Sequence, residues 1–543
     1  MKRIFTFFLI LTLLAGCGLP FSEEKPQEEV EGELIIREDN TEFHVVMEMP
    51  DSLIPTVTTQ KSTAEVLQIL YEPLFRFDEQ LRPVPCLAES WSVLSGAKQY
   101  YINLKKDILW HDGSTLTAND VVDTIASIQN GVGIYRNAVA DIAQAEVVNR
   151  HKVLITLNRP VVNFIGQLGF PIIKRNTDEE QPPVGTGAYR FVEKQSGNRI
   201  LLEPNPDWHG GDAGNKKIVV TGVRDAEAAV YAFHANEADI ISSSMMDLRE
   251  NSPRGEIAKQ EYLSNKLTFL GMNHEHELLK LPEIRRALEY LIDRNEIIEK
   301  DMYGLGVPVD VPVVPQAWFY NRQTGMVEVQ TDAQYLQELL TGQGWYLRDG
   351  FYYKDYGAYE NRLSFRILVN KDNEEKVAIA KRIAQMLMTV GIDANIRAVG
   401  YEQYLGLIRD KSFTLFLGEI EMDWSMDPTS LVGSGRNYFS YASEAMDAVL
   451  EQMVRAESQE DLALQYDAFC RIFLEDMPFV PLFFRKEAIL YAAELTGAGA
   501  PDFYGVYRDV EKWYFSQKIN LGKEMEEGEQ DEGHSQTSQR ASE

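Results

Sequence analysis

Cysteine is nearly absent from this 543-residue chain, which has three: Cys17, Cys86 and Cys470. That is too few for a disulfide framework, and Cys86 and Cys470 are expected as buried free thiols, which behave as small hydrophobes. Basic residues are outnumbered, 53 Lys and Arg against 83 Asp and Glu, for a formal charge of −30. This excludes nucleic acid as a partner, because phosphate binding needs clustered cations. No internal repeat is found, which argues against a solenoid. Catalytic signatures are also missing. There is no G-x-S-x-G and no H-E-x-x-H. The glycine pairs Gly185-Thr186-Gly187 and Gly433-Ser434-Gly435 neither complete a G-x-G-x-x-G nor lead into Lys-Ser/Thr. Nucleotide binding and familiar hydrolase chemistry are therefore not expected. Only one long apolar run exists, from Ile4 to Leu14, shorter than the roughly 20 residues a spanning helix needs.

That run follows Lys2 and Arg3 and ends in Leu14-Ala15-Gly16-Cys17. It has the form of a secretory signal, and its end resembles the lipobox of bacterial lipoproteins. The resemblance implies that residues 1–16 are removed and Cys17 is diacylated, which suffices for stable membrane anchoring. Residues 17–40 read as a flexible acidic tether, and residues 518–543 as a disordered acidic tail. The expected location is extracytoplasmic, lipid-anchored to the cell membrane.

Between the tails, hydrophobic residues are plentiful (44% of the whole chain), enough for large cores. Residues 363–370 place Leu363, Phe365, Ile367 and Val369 at period two, as a half-buried strand requires. A helical stripe follows in Val377, Ala380, Ala384, Leu387 and Met388, with Gly391 at a C-cap position. Residues 392–399 alternate again, and 412–420 form a more continuous apolar run. Residues 282–300 read as one helix with Pro282 at its first turn and Ile284, Leu288, Leu291, Ile292 and Ile298 on one side. The fold class is α/β.

Trp110-His111-Asp112-Gly113, with Ser114, brings together residue types of a hydrolase, but neighbours along a loop do not build a triad. Asp112-Gly113 signals a tight turn, and Thr117 before Ala118, with Asp120 in the first turn, signals a helix start. His274-Glu275-His276 offers two imidazoles and a carboxylate for a metal, short of a full ligand set.

Several segments, taken in order, carry a family likeness: residues 71–91 (YEPLFRFDEQLRPVPCLAESW), 100–122 (around WHDG), GTGAYRF at 185–191, NPDW at 205–208, LGMN at 270–273, RRALEYLIDR at 285–294 and MPFVPLFF at 477–484. Together they resemble the peptide/nickel class of solute-binding proteins of ABC transporters, over residues 41 to 517. The resemblance implies a two-lobed periplasmic-binding-protein-like fold of type II. Lobe 1 would be residues 41–271 with an inserted subdomain near 71–185, lobe 2 residues 272–480, and the return to lobe 1 residues 481–517.

It also implies function: no enzyme and no cofactor, but a monomeric receptor that binds a peptide or similar amine-bearing solute. The solute would pass to a permease with ATPase subunits. Asp423, after the strand at 412–420, matches the position where relatives pair an Asp with a peptide's α-amino group, and Ile420, Glu421 and Trp424 flank it. Asp427, before Pro428, reads as turn-shaping. Its spacing from Asp423 is one residue longer than the family's common D-Y-x-D-P form. Thr59, Gln60 and Lys61 correspond to a stretch that offers backbone groups to the peptide. Asn273 sits where the chain enters lobe 2. Arg366, Arg397 and Arg436 are candidates for a ligand carboxylate. Three other readings stay open: a nickel or metal-chelate receptor using His274 and His276, a peptide sensor without transport, and an extracellular hydrolase using the acids at 421–427.

Overall fold

The computed structural model describes residues 34–36, 42–94, 96–214, 216–247, 257–324, 333–456, 458–498 and 501–518. Cys17, the signal segment and the acidic tail from 519 lie outside the described residues. The described residues fall into two units, 34–36 with 516–518 in one and 42–515 in the other. In the first, Leu34 pairs with Lys518 and Ile36 with Ser516, antiparallel.

The main unit is organised on one mixed sheet. Its strands run, in spatial order, Asp393–Val399, Ser364–Asn370, Leu415–Glu421, Ile257–Met272, Phe479–Ala492, Ile240–Ser242, Glu42–Glu48, Lys217–Val223, Arg199–Pro204 and Tyr189–Gln195, and Gly306–Pro308 adds to Phe479–Ala492. The two long central strands pair antiparallel, from Ile257 opposite Ala492 to Gly271 opposite Phe479, with bulges at Leu263/Leu267 and Thr268/Phe269. They connect a parallel group at one end (364–370, 393–399 and 415–421) to a second parallel group at the other (42–48 with 217–223 and 240–242). Each group has its own core. Phe365, Ile367, Ile379, Ile383, Leu415 and Phe479 belong to the larger, and Phe43, Val45, Leu202, Ile218 and Trp513 to the other. A third core draws on residues 74–172, chiefly around the four-stranded antiparallel sheet formed by Ala88–Val93, Gln99–Leu104, Ile142–Asn149 and Lys152–Leu157. Each fully buried aliphatic or aromatic side chain in these cores contributes about 1.5–3 kcal/mol.

Local signals explain most elements. Helix Ala118–Asn130 starts at Thr117, whose backbone N–H donates to the Asp120 carboxylate (2.8 Å) in a capping box. Helix Glu374–Thr389 starts at Asn373, whose side chain accepts from Lys376 N–H (2.9 Å), and Gly391 follows its end at φ +90°. Its buried stripe is Ile379, Ala380, Ile383, Ala384 and Leu387. Met388, expected inside, is 41% exposed. The single helix expected over 282–300 is two, Pro282–Tyr290 and Arg294–Asp301. Asp293 causes the break: its side chain accepts from Glu296 N–H (3.0 Å), so it caps a new helix.

The His111 region is a rivet between two turns. Gly113 takes φ +81° in the Asp112-Gly113 turn. His111 Nδ1 accepts from Gly185 N–H (3.1 Å), which leaves Nε2–H to donate to the Gly187 carbonyl (3.1 Å). Burial pushes its pKa down to about 4. Ser114 Oγ donates to Asp112, not to His111. A Cβ on Gly185 would lie 1.8 Å from the Leu70 carbonyl oxygen, so close chain approach accounts for that glycine. Cys86 and Cys470 are buried and free.

Candidate functional site

The strand Leu415–Glu421 ends where ligands gather in α/β sheets, at the carboxyl edge of a parallel group. Beyond it, Met422 N–H donates to the Asn265 carbonyl (2.9 Å), and Asn265 Nδ2 donates back to Met422 O (2.5 Å). Met422 is buried while Glu421 and Asp423 are exposed. The two acids thus leave the chain on the side opposite Met422.

Asp423 accepts from Ser425 Oγ (2.6 Å) and weakly from Asp427 N–H (3.4 Å), and no cation pairs with it among the described residues. Its carboxylate opens on a cavity but has protein on most sides. Burial therefore raises its pKa, with Asp427 adding to the rise and Ser425 opposing it. Asp427 is engaged elsewhere. It accepts from Thr429 N–H (2.8 Å), and Arg159 approaches its other oxygen at 3.5 Å. The extra residue between these acids also has a place. Met426 takes φ +57°, its N–H donates to Asp423 O (3.0 Å), and its carbonyl accepts from Tyr466 Oη (3.0 Å). A tight left-handed turn absorbs the longer spacing.

The cavity, about 310 Å³, is lined by segments far apart in sequence. Lys61, Glu65 and Gln68 come from one helix and the residues after it, Tyr135 and Gln167 from two short 3-10 segments, Tyr262 and Asn265 from the long strand, Glu421–Trp424 from the loop just described, and Asp502–Val506 from near the C-terminus. Trp424 meets Tyr135 and Tyr504 edge-on at 5.8 and 5.2 Å, and Tyr504 Oη donates to Trp424 O (3.2 Å). Lys61 is already held, by Glu487 (3.0 Å) and, more distantly, Glu65 (4.0 Å). Glu487 also binds Lys266 (2.6 Å) and Tyr262 Oη (3.1 Å). Burial works to raise the Glu487 pKa, but Lys61 and Lys266 outweigh it and hold it at about 2. Glu65 is fully enclosed and accepts from Ser242 and Ser244 hydroxyls (2.9 and 2.7 Å). Burial still leaves its pKa raised.

Of the residues expected from sequence, Asp423, Trp424, Glu421 and Lys61 meet at this cavity. The others lie outside its lining. Ile420 packs against the larger core. Thr59 N–H and Oγ1 donate to Asp51, and Gln60 Oε1 accepts from Asp51 N–H and Thr63 Oγ1, so both staple a loop. Asn273 donates to the Lys411 and Phe413 carbonyls (3.1 and 3.0 Å). His274 Nε2 bonds the Pro478 carbonyl (2.8 Å), and burial lowers its pKa to about 4. His276 Nδ1 accepts from Leu278 N–H (3.3 Å). No three His, Cys, Asp or Glu side chains cluster as a metal site among the described residues. Arg366 and Arg397 line a separate pocket with Ser364, Ser412 and Thr414, at the opposite end of the parallel strands from Asp423. Arg436 lines another groove with Arg159 and Arg455. Sequence reasoning missed Glu65, Tyr135, Gln167 and Tyr504. None carries a motif, and only the folded chain brings them together.

The family of bacterial extracellular solute-binding proteins, family 5 (middle), matches residues 82–440. The chain is 22% identical to the oligopeptide-binding protein AppA of Bacillus subtilis (strain 168) over 488 residues, 85% of this chain and 89% of that one. It is 22% identical to heme-binding protein A of Haemophilus influenzae over 535 residues, 89% and 93% of the two chains. Among solved structures, its fold is similar to the periplasmic murein tripeptide binding protein MppA in an unliganded open form (TM-score 0.75, 19% identity, 90% of this chain and 99% of that one). It is also similar to a nickel ABC transporter structure from Bacillus halodurans (TM-score 0.74, 20% identity, 86% and 98%). The neighbours are two-lobed α/β proteins, and the same architecture holds here.

Proposed function

The chain belongs to the bacterial extracellular solute-binding proteins of family 5, binding proteins rather than enzymes, and from that premise we propose that it is a receptor for an oligopeptide or similar amine-bearing solute. One observation carries the reading: among the described residues, Asp423 presents a carboxylate to a cavity with only Ser425 and the Asp427 N–H to answer it. A carboxylate with protein on most sides and no counter-charge is destabilised, and a ligand ammonium supplies one. The lobes would be 41–271 and 272–480, with the return at 481–517, closing on the solute as rigid bodies. The lipobox-like segment ending at Cys17 supports a lipid anchor outside the cell membrane, and the family supports delivery to an ABC permease. His274 and His276 are taken up by their own surroundings, so nothing at those positions favours a nickel receptor.

Native mass spectrometry of protein purified from its host tests the reading. A retained solute bearing a primary amine supports it. A retained metal complex without an amine overturns it.

A further inference from the structure

We infer that the part of the solute enclosed here is an aliphatic dication: two ammonium or guanidinium groups on a flexible stem, with no carboxylate. The inference deepens the amine-receptor reading and rests on it. Three independent features lead to it.

The first is the charge inventory. The charged residues lining the cavity are Lys61, Glu65, Glu421, Asp423 and Asp502. Lys61 and neighbouring Lys266 answer Glu487 and Glu65, and Arg508 answers Asp502 (2.8 Å). Glu421 and Asp423 remain, on the same side of the chain, with no ion pair to either among the described residues. Among the described residues Lys61 is the one lining cation; it pairs with Glu487 and acts on Glu421 only at longer range, so a ligand carboxylate would meet two acids and no free cation.

The second is Gln167. Its side chain is 3% exposed, it lines the cavity, and its carbonyl oxygen has no hydrogen-bond donor. A buried acceptor left unmade costs about 1–3 kcal/mol. A ligand N–H donor satisfies the oxygen in this orientation of the amide.

The third is shape. Trp424, Tyr135, Phe503 and Tyr504 form an aromatic wall, which suits an aliphatic stem. A volume of about 310 Å³ is at the lower end for ligand sites, room for one diamine or one basic residue of a peptide. A free diamine and a peptide led by lysine share this chemistry.

Calorimetric titration of the full chain with four probes separates the possibilities: cadaverine, ε-aminocaproate, Lys-Ala-Ala and Ala-Ala-Ala. ε-Aminocaproate keeps the stem and one amine of cadaverine but ends in a carboxylate. The expected result is that cadaverine or Lys-Ala-Ala binds about 10- to 100-fold tighter than ε-aminocaproate and Ala-Ala-Ala, one charge-assisted contact's worth. Whichever of the two dications binds tighter identifies the source. Glu421→Gln, an isosteric change on an exposed side chain, should bring the ratio of Lys-Ala-Ala to Ala-Ala-Ala affinity close to one. If Ala-Ala-Ala equals Lys-Ala-Ala on the wild-type protein, or ε-aminocaproate equals cadaverine, the dication is wrong while the amine receptor stands. If none of the four binds, both fall.

Discussion

Gly169 lies hard against the indole of Trp424. A Cβ on the glycine would sit 2.7 Å from the ring's Cζ3. Trp424 is also held against Tyr135 and Tyr504, so the direction left to it is into the cavity it lines. Gly169→Ala should therefore lower stability by about 1–3 kcal/mol, the usual cost of overpacking. It should also weaken solute binding, because it displaces a cavity wall. Thermal melting with and without the retained solute would show both. An unchanged melting temperature and an unchanged ligand-induced shift would refute the contact.

Glu487 joins Lys61, Lys266 and Tyr262 beside the cavity. Its folded pKa is held at about 2, below the ordinary 4.5. A depressed carboxylate contributes stability that is complete above its unfolded pKa and lost as pH falls through the folded one. Its contribution, on the order of 3 kcal/mol, should disappear between about pH 5 and pH 2. Glu487→Gln should flatten the stability profile in that window, and should weaken binding of amines by releasing Lys61 toward the cavity. Denaturant melts across pH provide the check.

His111 acts in a different window. Half-buried and neutral between Gly185 and Gly187, it has a pKa of about 4 against 6.5 unfolded. A histidine whose pKa falls on folding stabilises the protein above its unfolded pKa and loses that contribution as pH drops from 6.5 to 4. His111→Gln should remove this segment of the profile and leave the Glu487 segment in place. NMR titration of the His111 ring should show it neutral at pH 5.

Asp423 should also set the pH dependence of binding. Asp423 must be ionised to hold an ammonium, and its pKa in the free protein is raised by burial. Affinity for an amine should therefore begin to fall, on acidification, above the pH at which an ordinary aspartate protonates. Binding should release the proton held by the protonated fraction. Calorimetry in buffers of different ionisation enthalpy measures that proton directly.

Much of the scaffold was legible because its causes are local. Alternation marks the strand at 364–370, and the capping chemistry of Thr117 and Asn373 marks two helix starts. The break at Asp293 went unseen because the apolar periodicity runs through it, while the cap that interrupts it depends on one side chain turning back to Glu296 N–H. At the site, Asp423 and its neighbours were reachable through family likeness. Thr59, Gln60 and Asn273 sat at plausible positions, but their polar atoms are consumed by nearby backbone and side-chain partners, which no spacing rule reveals. Glu65, Gln167 and Tyr504 are far apart in sequence and meet only in the folded chain. The longer spacing before Asp427 became explicable once Met426 was seen at positive φ.

The central claim is that Asp423 holds the amine of an enclosed solute. Its most direct test is the dissociation constant of the solute retained on purification, measured for wild type and for Asp423→Asn, an isosteric change that removes only the charge. The account predicts affinity lower by about 10- to 100-fold in the variant, the loss expected for one charge-assisted hydrogen bond. Equal affinity in the two proteins, with the variant fully folded, would contradict it.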